Sequence, residues 1–328
     1  MASFDRRKFM IGSGIAVGAA VASSLVKISG AQAQAPLSGK QAPGFYRTKV
    51  GNIEVTALSD GGMTLGDELM LNTNAKTLSA ARAKNFLPAA PQFPAYVNAF
   101  LVNTGDRLTL IDTGARGYSD TLGKLEEQLE AAGVKLSRID EIVLTHIHPD
   151  HTGGLVDERG RAVFGKARVR VAQEELSFWL NAENEAKFPE RKQLFDSANR
   201  NLGPYLEEDR VESFISGTDL GAGLSSVALP GHTPGHTGVR VSDGNDQLII
   251  WGDIVHVPAV QFENPGVGIG FDLEPELARK TRAKIFDEAA TDRIRVAGMH
   301  LAFPAIGHLA RQGKGYQFVP QPWETDIA

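Results

Sequence analysis

The sequence predicts an α+β or α/β domain built from layers of helices and mixed sheets. Short apolar runs rich in β-branched residues alternate with helical patterns along most of the 328-residue chain. Several predicted strands follow one another as hairpin-like pairs, with helices interspersed among them. No internal repeat at a fixed period is found in the sequence. A layered domain is therefore the expected architecture.

The individual elements follow from local composition and period. Ten runs have the length and composition of strands: Ile53–Leu58, Tyr96–Val102, Leu108–Ile111, Glu141–Thr145, Arg168–Val171, Val211–Ile215, Ser226–Leu229, Gly238–Val241, Leu248–Trp251 and Ile294–Ala297. The clearest helix follows Asp120 as N-cap, because Leu122, Leu125 and Leu129 recur at helical spacing, and it ends at Gly133. Further helices are predicted at Glu174–Leu180, Glu190–Asn201 and Pro275–Ala289.

The N-terminal segment has the pattern of a signal peptide. Arg6 and Arg7 precede a mild apolar run over Met10–Val26, and small residues follow up to Ala35. The paired arginines resemble a twin-arginine signal, which predicts export through the twin-arginine machinery to the periplasm or the medium of a bacterium. We expect cleavage after Ala33, which separates a signal at residues 1–33 from a single domain at 34–328. The alternative is an uncleaved anchor, but a 17-residue run is short for a spanning helix, so no stable membrane insertion is expected after processing.

Charge and cysteine content exclude several classes of protein. Residues 1–33 hold four of the 34 basic and one of the 39 acidic residues, so cleavage moves the net charge from −5 to about −8. No basic patch is visible, which argues against a nucleic-acid partner. The chain has no cysteine. Disulfides, thiolate nucleophiles and Cys-ligated metals are therefore excluded, and any metal must be bound by His, Asp and Glu.

A histidine-rich turn follows the predicted strand Glu141–Thr145. His146, His148, Asp150 and His151 lie within six positions. Residues two apart in an extended segment point the same way, so His146 and His148 can meet one ion. Pro149 begins a turn that can bring Asp150 and His151 to a second ion. Imidazole and carboxylate ligands suit zinc, manganese, iron or cobalt.

Further single ligands are expected at the ends of other strands. His232 follows Ser226–Leu229, Asp253 follows Leu248–Trp251, and His300 follows Ile294–Ala297. With Asp60 and the Asp112-Thr113-Gly114 triplet, their order along the chain resembles the metallo-β-lactamase superfamily. The Cys-ligated β-lactamases are excluded because the chain has no cysteine.

This resemblance implies an αββα sandwich, with two mixed sheets flanked by helices. It also implies a catalytic site for two divalent metal ions, with zinc as the expected metal. His146, His148 and His232 would bind one ion, and Asp150, His151 and His300 the other. Asp253 would bridge the two ions. Independently of the resemblance, Asp112 is expected to hydrogen-bond the ligand turn, and His236, four residues after His232, to be a supporting or turn histidine, with a ligand as the alternative. The chain is most similar to the branch of methyl parathion hydrolase and lactonase-like relatives, which implies a homodimer. Stretches carrying that likeness are 42–47, 58–61, 145–154, 178–180, 259–262 and 304–315.

Two such ions would lower the pKa of a bridging water from ~15.7 to near 7 and so create a hydroxide nucleophile. Asp150 is the best candidate to hold that nucleophile and pass its proton to the leaving group. A serine hydrolase is disfavoured because no G-x-S-x-G motif is present. An aspartic protease would need a second D-T-G, which the sequence lacks.

The substrate is expected to be small, uncharged and hydrophobic, because apolar residues are candidates for the pocket wall. These candidates are Trp179, Leu194 or Phe195, Phe262 and Phe271, with ordinary core packing as the alternative reading. His256 stands where methyl parathion hydrolase has an apolar residue. We therefore predict a lactone or aryl-ester hydrolase, with organophosphate triesters as the first alternative and acyl-homoserine lactones as the second. A non-catalytic metal-binding protein of the cell envelope is the alternative from a different class.

Overall fold

Two facing β-sheets with helices on their outer sides form the body of the protein. The computed structural model describes residues 37–327. The predicted signal at 1–33 lies outside these residues, and the fold below is that of residues 42–327. This arrangement confirms the predicted αββα sandwich of two mixed sheets. Among residues 37–327, no helix is both long and apolar enough to cross a bilayer.

The strands of the described region are numbered β1 to β16 in chain order. They are β1 Phe45–Val50, β2 Ile53–Gly66, β3 Met70–Leu71, β4 Gln92–Asn103, β5 Leu108–Ile111, β6 Glu141–Val143, β7 Arg168–Ala172, β8 Val211–Phe214, β9 Asp219–Gly221, β10 Leu224–Ala228, β11 Thr237–Asp243, β12 Asp246–Ile250, β13 Gly268–Ile269, β14 Arg295–Ala297, β15 Ile306–Gln312 and β16 Gly315–Pro320.

The α-helices of the described region are numbered in the same way. They are α1 Ala75–Lys84, α2 Leu125–Ala131, α3 Pro149–Thr152, α4 Gln173–Trp179, α5 Ala182–Lys187, α6 Lys192–Glu207, α7 Pro258–Gln261 and α8 Pro275–Thr291.

Each large sheet mixes parallel and antiparallel pairs. The first has the order β1-β2-β4-β5-β6-β7-β8, with parallel pairing from β5 to β8. The second has the order β16-β15-β14-β12-β11-β10-β9, with one parallel pair, β12 with β14. Because β12 and β14 run in the same direction, the residues that follow them emerge at the same edge of the sheet.

Two large hydrophobic clusters hold these layers together. One lies between the sheets and contains Val55 and Val102 from the first sheet and Val239 and Val241 from the second. The other lies between the first sheet and the helices α2, α4 and α6. Helix α6 is amphipathic, and its apolar face adds four buried residues to this second cluster: Phe195, Ala198, Leu202 and Tyr205.

The predicted elements differ from the structure mainly at their boundaries. Strands β1, β3, β9, β13, β15 and β16 and helices α1, α3, α5 and α7 were not predicted. Strand β2 continues past Leu58 to Gly66 because a bulge between Ser59 and Gly61 lets pairing with β4 resume. Helix α2 begins at Leu125, five residues after the predicted cap Asp120, because Asp60 accepts hydrogen bonds from the preceding turn.

Candidate metal centre

The predicted ligands converge at one edge of the sandwich, where several strands end. His146 and His148 follow β6, and Asp150 and His151 lie in the short helix α3 directly after them. His232 lies in the loop between β10 and β11, while Asp253 and His300 follow β12 and β14, respectively. The parallel pairing of β12 with β14 brings Asp253 and His300 side by side.

A first ligand group is formed by His146, His148, His232 and Asp253. Its ligand atoms all lie within 4.8 Å of one another. His148 Nδ1 lies 2.9 Å from His146 Nε2 and 3.0 Å from His232 Nε2. Asp253 Oδ2 lies 3.3 Å from His232 Nε2. All four side chains are buried.

A second ligand group is formed by Asp150, His151, His300 and, again, Asp253. Asp253 Oδ1 lies 3.2 Å from His151 Nε2, and Asp253 Oδ2 lies 3.1 Å from His300 Nε2. Asp150 Oδ2 lies 3.5 Å from the Nε2 atoms of both histidines. Asp253 therefore belongs to both groups and lies between them.

Two buried carboxylates support the first group from outside. Asp272 Oδ1 lies 2.9 Å from His232 Nδ1 and leaves Nε2 directed into the group. Glu175 accepts hydrogen bonds from the backbone N–H groups of Ile147, at 3.0 Å, and Gly235, at 2.9 Å. Asp272 fixes the orientation and tautomer of the His232 imidazole, whereas Glu175 holds the backbone of the segments that carry the histidines.

The second group has a different set of supports. Asp112 Oδ2 lies 2.6 Å from His151 Nδ1 and also accepts a hydrogen bond from the Thr145 hydroxyl, as the sequence predicts for a residue supporting the ligand turn. His300 Nδ1 donates to the backbone oxygen of Tyr96 at 2.6 Å. His236 is not among the ligands, because its Nε2 accepts from the backbone N–H of Asp253.

Burial and charge set the protonation of these groups. Burial lowers the pKa of His146 and His148 well below the ordinary histidine value, which leaves neutral imidazoles with free lone pairs. Burial also acts to lower the pKa of His232, but Asp253 and Asp272 raise it to about 9. Carboxylates that attract a proton to His232 would equally attract a metal cation. Although burial opposes it, neighbouring histidines lower the pKa of Asp253, which favours the ionised carboxylate.

The donor atoms of both groups fit divalent cations. His151 Nε2 and Asp253 Oδ1 are buried and make no hydrogen bond within the described region. Unpaired buried polar atoms are costly, and a cation among them would satisfy them. Each group offers imidazole nitrogens and carboxylate oxygens without thiolate, a set suited to zinc and comparable transition metals.

A cavity opens directly over the two ligand groups. Its walls include Met63, Leu65, Leu194 and Phe271, and its polar lining includes His256. Leu194, His256 and Phe271 therefore lie where the sequence predicts pocket residues. His256 is buried and stacks on His300 with ring centroids 4.9 Å apart. Its Nε2 lies 3.1 Å from Asp253 Oδ2, and its Nδ1 makes no hydrogen bond among the described residues.

Three predicted pocket residues lie elsewhere. Trp179 and Phe195 are buried in the cluster between the first sheet and its helices, and Phe262 packs on Phe286 in the cluster between the sheets. Their large apolar side chains are better buried in a core than left on a cavity wall. Trp179 nevertheless contacts a candidate ligand, because its ring packs edge-on against His148 with the ring centroids 5.3 Å apart.

Several residues of the site were missed in the sequence. Met63, Leu65, Tyr118 and Arg191 line the cavity, and Glu175 and Asp272 support the ligands. The apolar alternation at Met63 and Leu65 is a signal of a continuing strand that could have been found. Glu175 stands beside the exposed Glu174, and no local pattern distinguishes the two.

Asp60 stabilises a turn in the cavity wall and is not a member of either ligand group. Its carboxylate accepts hydrogen bonds from the backbone N–H groups of Ala115, Gly123 and Leu125. These bonds fix the turn that carries Tyr118. Gly114 has a φ of +74° and lies against the Asp60 carboxyl group, where a Cβ would come within 2.5 Å, so glycine is required in the Asp112-Thr113-Gly114 triplet.

Comparisons with known proteins agree with this fold. The metallo-beta-lactamase superfamily matches residues 93–296, more than half of the chain. A solved hydrolase of the beta lactamase superfamily, AbOPH, is 34% identical with a TM-score of 0.82, over 87% of this chain and 100% of that one. AidC, a dizinc quorum-quenching lactonase solved with its product N-hexanoyl-L-homoserine, is 27% identical with a TM-score of 0.80, over 86% and 99% of the two chains.

The chain belongs to the metallo-β-lactamase superfamily. Among curated proteins, the probable metallo-hydrolase YqjP of Bacillus subtilis is 31% identical over 151 residues, which is 40% of this chain and 45% of the relative. The chain spans about half the length of the curated relatives it matches. YqjP is a probable metallo-hydrolase, AbOPH a hydrolase and AidC a dizinc lactonase.

Proposed function

We propose that this protein is a metal-dependent hydrolase that uses two divalent ions to open an uncharged hydrophobic lactone or cleave an aryl ester. Zinc is the metal we expect in both positions. The observation that carries the proposal is the pair of ligand groups sharing Asp253 beneath a largely apolar cavity. His146, His148 and His232 would hold one ion, and Asp150, His151 and His300 the other. When bound, the ions supply a low-pKa water as nucleophile and a Lewis acid for the scissile carbonyl.

The protein's own residues position the reactants. Asp150, whose side chain is 16% exposed, faces both the second group and the cavity. It would accept the proton of the attacking water and pass it to the leaving oxygen. The apolar walls at Leu65, Leu194 and Phe271 exclude bulk water and favour an uncharged substrate.

His256 is proposed to distinguish between substrates. Its buried ring lines the cavity, with Nε2 3.1 Å from Asp253 Oδ2, and Nδ1 makes no hydrogen bond among the described residues. A lactone ring oxygen or carbonyl can hydrogen-bond to such a ring. We propose that the chain belongs to the branch of methyl parathion hydrolase and lactonase-like relatives. Organophosphate triester hydrolysis, as the main or a side activity, is the first alternative.

Acyl-homoserine lactones are a second candidate substrate class. The supporting observation is AidC, which was solved with N-hexanoyl-L-homoserine and shares 27% of its residues with this chain. An acyl chain would lie along the apolar walls of the cavity, and the lactone ring would lie above Asp253.

Outside the site, we propose that residues 1–33 direct twin-arginine export to the periplasm or medium and are removed. Residues 34–328 would then act as one catalytic domain in a homodimer. N-terminal sequencing of the exported protein and its mass in solution test these proposals separately.

The test of function combines metal analysis with a substrate panel. Chain 34–328 would be stripped with a chelator, reloaded with zinc, manganese, iron or cobalt, and assayed on dihydrocoumarin, p-nitrophenyl acetate, N-hexanoyl-homoserine lactone and methyl parathion. We expect metal-dependent turnover, fastest on the aromatic lactone or aryl ester, that His300→Ala abolishes. Binding of two zinc ions without turnover of any of the four compounds would instead favour a non-catalytic metal-binding protein of the envelope.

A further inference from the structure

Glu175 connects three separate segments around the first ligand group. It lies on α4 with none of its surface exposed. Its Oε2 accepts hydrogen bonds from the backbone N–H of Ile147 at 3.0 Å and from the indole N–H of Trp179 at 2.9 Å. Its Oε1 accepts from the backbone N–H of Gly235 at 2.9 Å. One buried carboxylate therefore joins the β6 turn, the loop after β10 and helix α4.

These segments carry the three histidines of the first group. Ile147 lies between His146 and His148, and Gly235 is three residues beyond His232. The loop fits closely on α4, because a Cβ at Gly235 would lie 2.7 Å from the backbone nitrogen of Glu175. Ile147 directly adjoins His146 and His148, whereas His151 lies four residues further on, in α3. None of these three hydrogen bonds goes to the segment that bears His300.

The chemistry of the contact requires a carboxylate. All three of these partners are N–H donors, so both oxygens act as acceptors. A glutamine of the same shape would direct its NH₂ group at one or two of these donors and leave them unpaired in a buried place. The segments would then have to shift, and with them the histidines that they carry.

We propose that Glu175 is a positioning residue that sets the metal affinity of the first ligand group and leaves the second group unchanged. This inference rests on the proposed function, since it assumes that both groups bind divalent ions. Through Trp179, the same carboxylate also holds an aromatic ring against His148. Glu175 thus acts on the ligands without touching a reacting atom.

The test measures two zinc-binding steps by competition with a chromophoric chelator. Glu175→Gln should weaken one step by roughly 10–100-fold, the effect usual for loss of an outer partner, and leave the other within about twofold. Asp112→Asn, which disturbs the support of His151, should weaken the other step. The double variant should weaken both. The matched control Glu174→Gln changes the exposed neighbouring residue on the same helix and should alter neither step.

A second variant guards against a failure of Glu175→Gln to fold. Trp179→Phe keeps an aromatic ring and removes only one donor to Glu175, so it should weaken the same step by a smaller factor. Unfolding of the metal-free variants by urea reports their stability independently of zinc. The inference would be wrong if Glu175→Gln weakened both zinc-binding steps equally, or weakened the step that Asp112→Asn affects. Either result would leave the proposed function standing. A wild-type chain that binds no zinc would contradict the proposed function as well.

Discussion

The two ligand groups differ in exposure and in how they are supported. All members of the first group are buried, whereas the second contains Asp150, whose side chain is partly exposed to the cavity. The first is supported by the carboxylates of Glu175 and Asp272. The second is supported by Asp112 and a backbone oxygen. His148 and His232 of the first group also line the cavity. From the difference in exposure we predict that a substrate would approach from the side of Asp150.

The largest effect should come from the residue that the two groups share. Asp253→Asn removes the charge that lies between His151, His232 and His300, and an amide cannot bridge two cations as a carboxylate does. We expect zinc content and turnover to fall by more than the roughly 100-fold that loss of an outer partner can cost. Zinc analysis together with lactone turnover checks this. Retention of two tightly bound zinc ions would mean that the groups are not joined through Asp253.

A smaller effect should follow from loss of an outer partner of the first group. Asp272→Asn keeps the shape of the side chain but removes the charge beside His232 Nδ1. We expect zinc at the first group to bind roughly 10-fold more weakly and the second step to remain unchanged. Competition with a chelator measures both steps. If Asp272→Asn weakened only the zinc-binding step that Asp112→Asn also affects, Asp272 would support the second group instead of the first.

His256→Leu should have a still smaller effect that depends on the substrate. Leucine removes a hydrogen-bonding ring from the cavity, so lactone turnover should fall by up to about 10-fold, the value of one hydrogen bond. Phosphotriester turnover should rise, because the cavity becomes more apolar. Rates on dihydrocoumarin and methyl parathion measure the two effects. Unchanged lactone turnover without a gain on methyl parathion would remove His256 from the determinants of specificity.

The smallest effect is expected at the mouth of the cavity. Tyr118 lines the cavity and is 54% exposed. If substrate approaches past Asp150, Tyr118→Ala should raise KM a fewfold through loss of apolar contact and leave both zinc-binding steps unchanged. Steady-state kinetics separate KM from kcat. A fall in zinc affinity would instead place Tyr118 among the supports of the second group.

That the candidate ligands lie close together could be predicted from the sequence, because each of them is marked by a local signal. His146 to His151 lie in one motif, and His232, Asp253 and His300 each follow a recognisable strand. Strand ends at one edge of a sheet meet in space, so their order was enough to predict a common site. The αββα arrangement followed from the resemblance that these residues carry.

The cavity wall and the supporting residues were harder to predict because long-range packing decides them. Phe262 and Phe271 look alike in the sequence, yet one lies in the core between the sheets and the other faces the cavity. Glu174 and Glu175 are adjacent, yet only the second is buried beneath the ligand loops. Such differences depend on which loops pack against a helix, and single-chain patterns do not contain that information.

The most direct test of the central proposal is turnover of dihydrocoumarin as zinc is added back to the metal-free chain. With two ligand groups sharing Asp253, activity should be negligible without metal, rise with added zinc and reach its plateau at two equivalents per chain. Full activity in the chelated protein, or a plateau at one equivalent, would contradict a hydrolase that uses both groups.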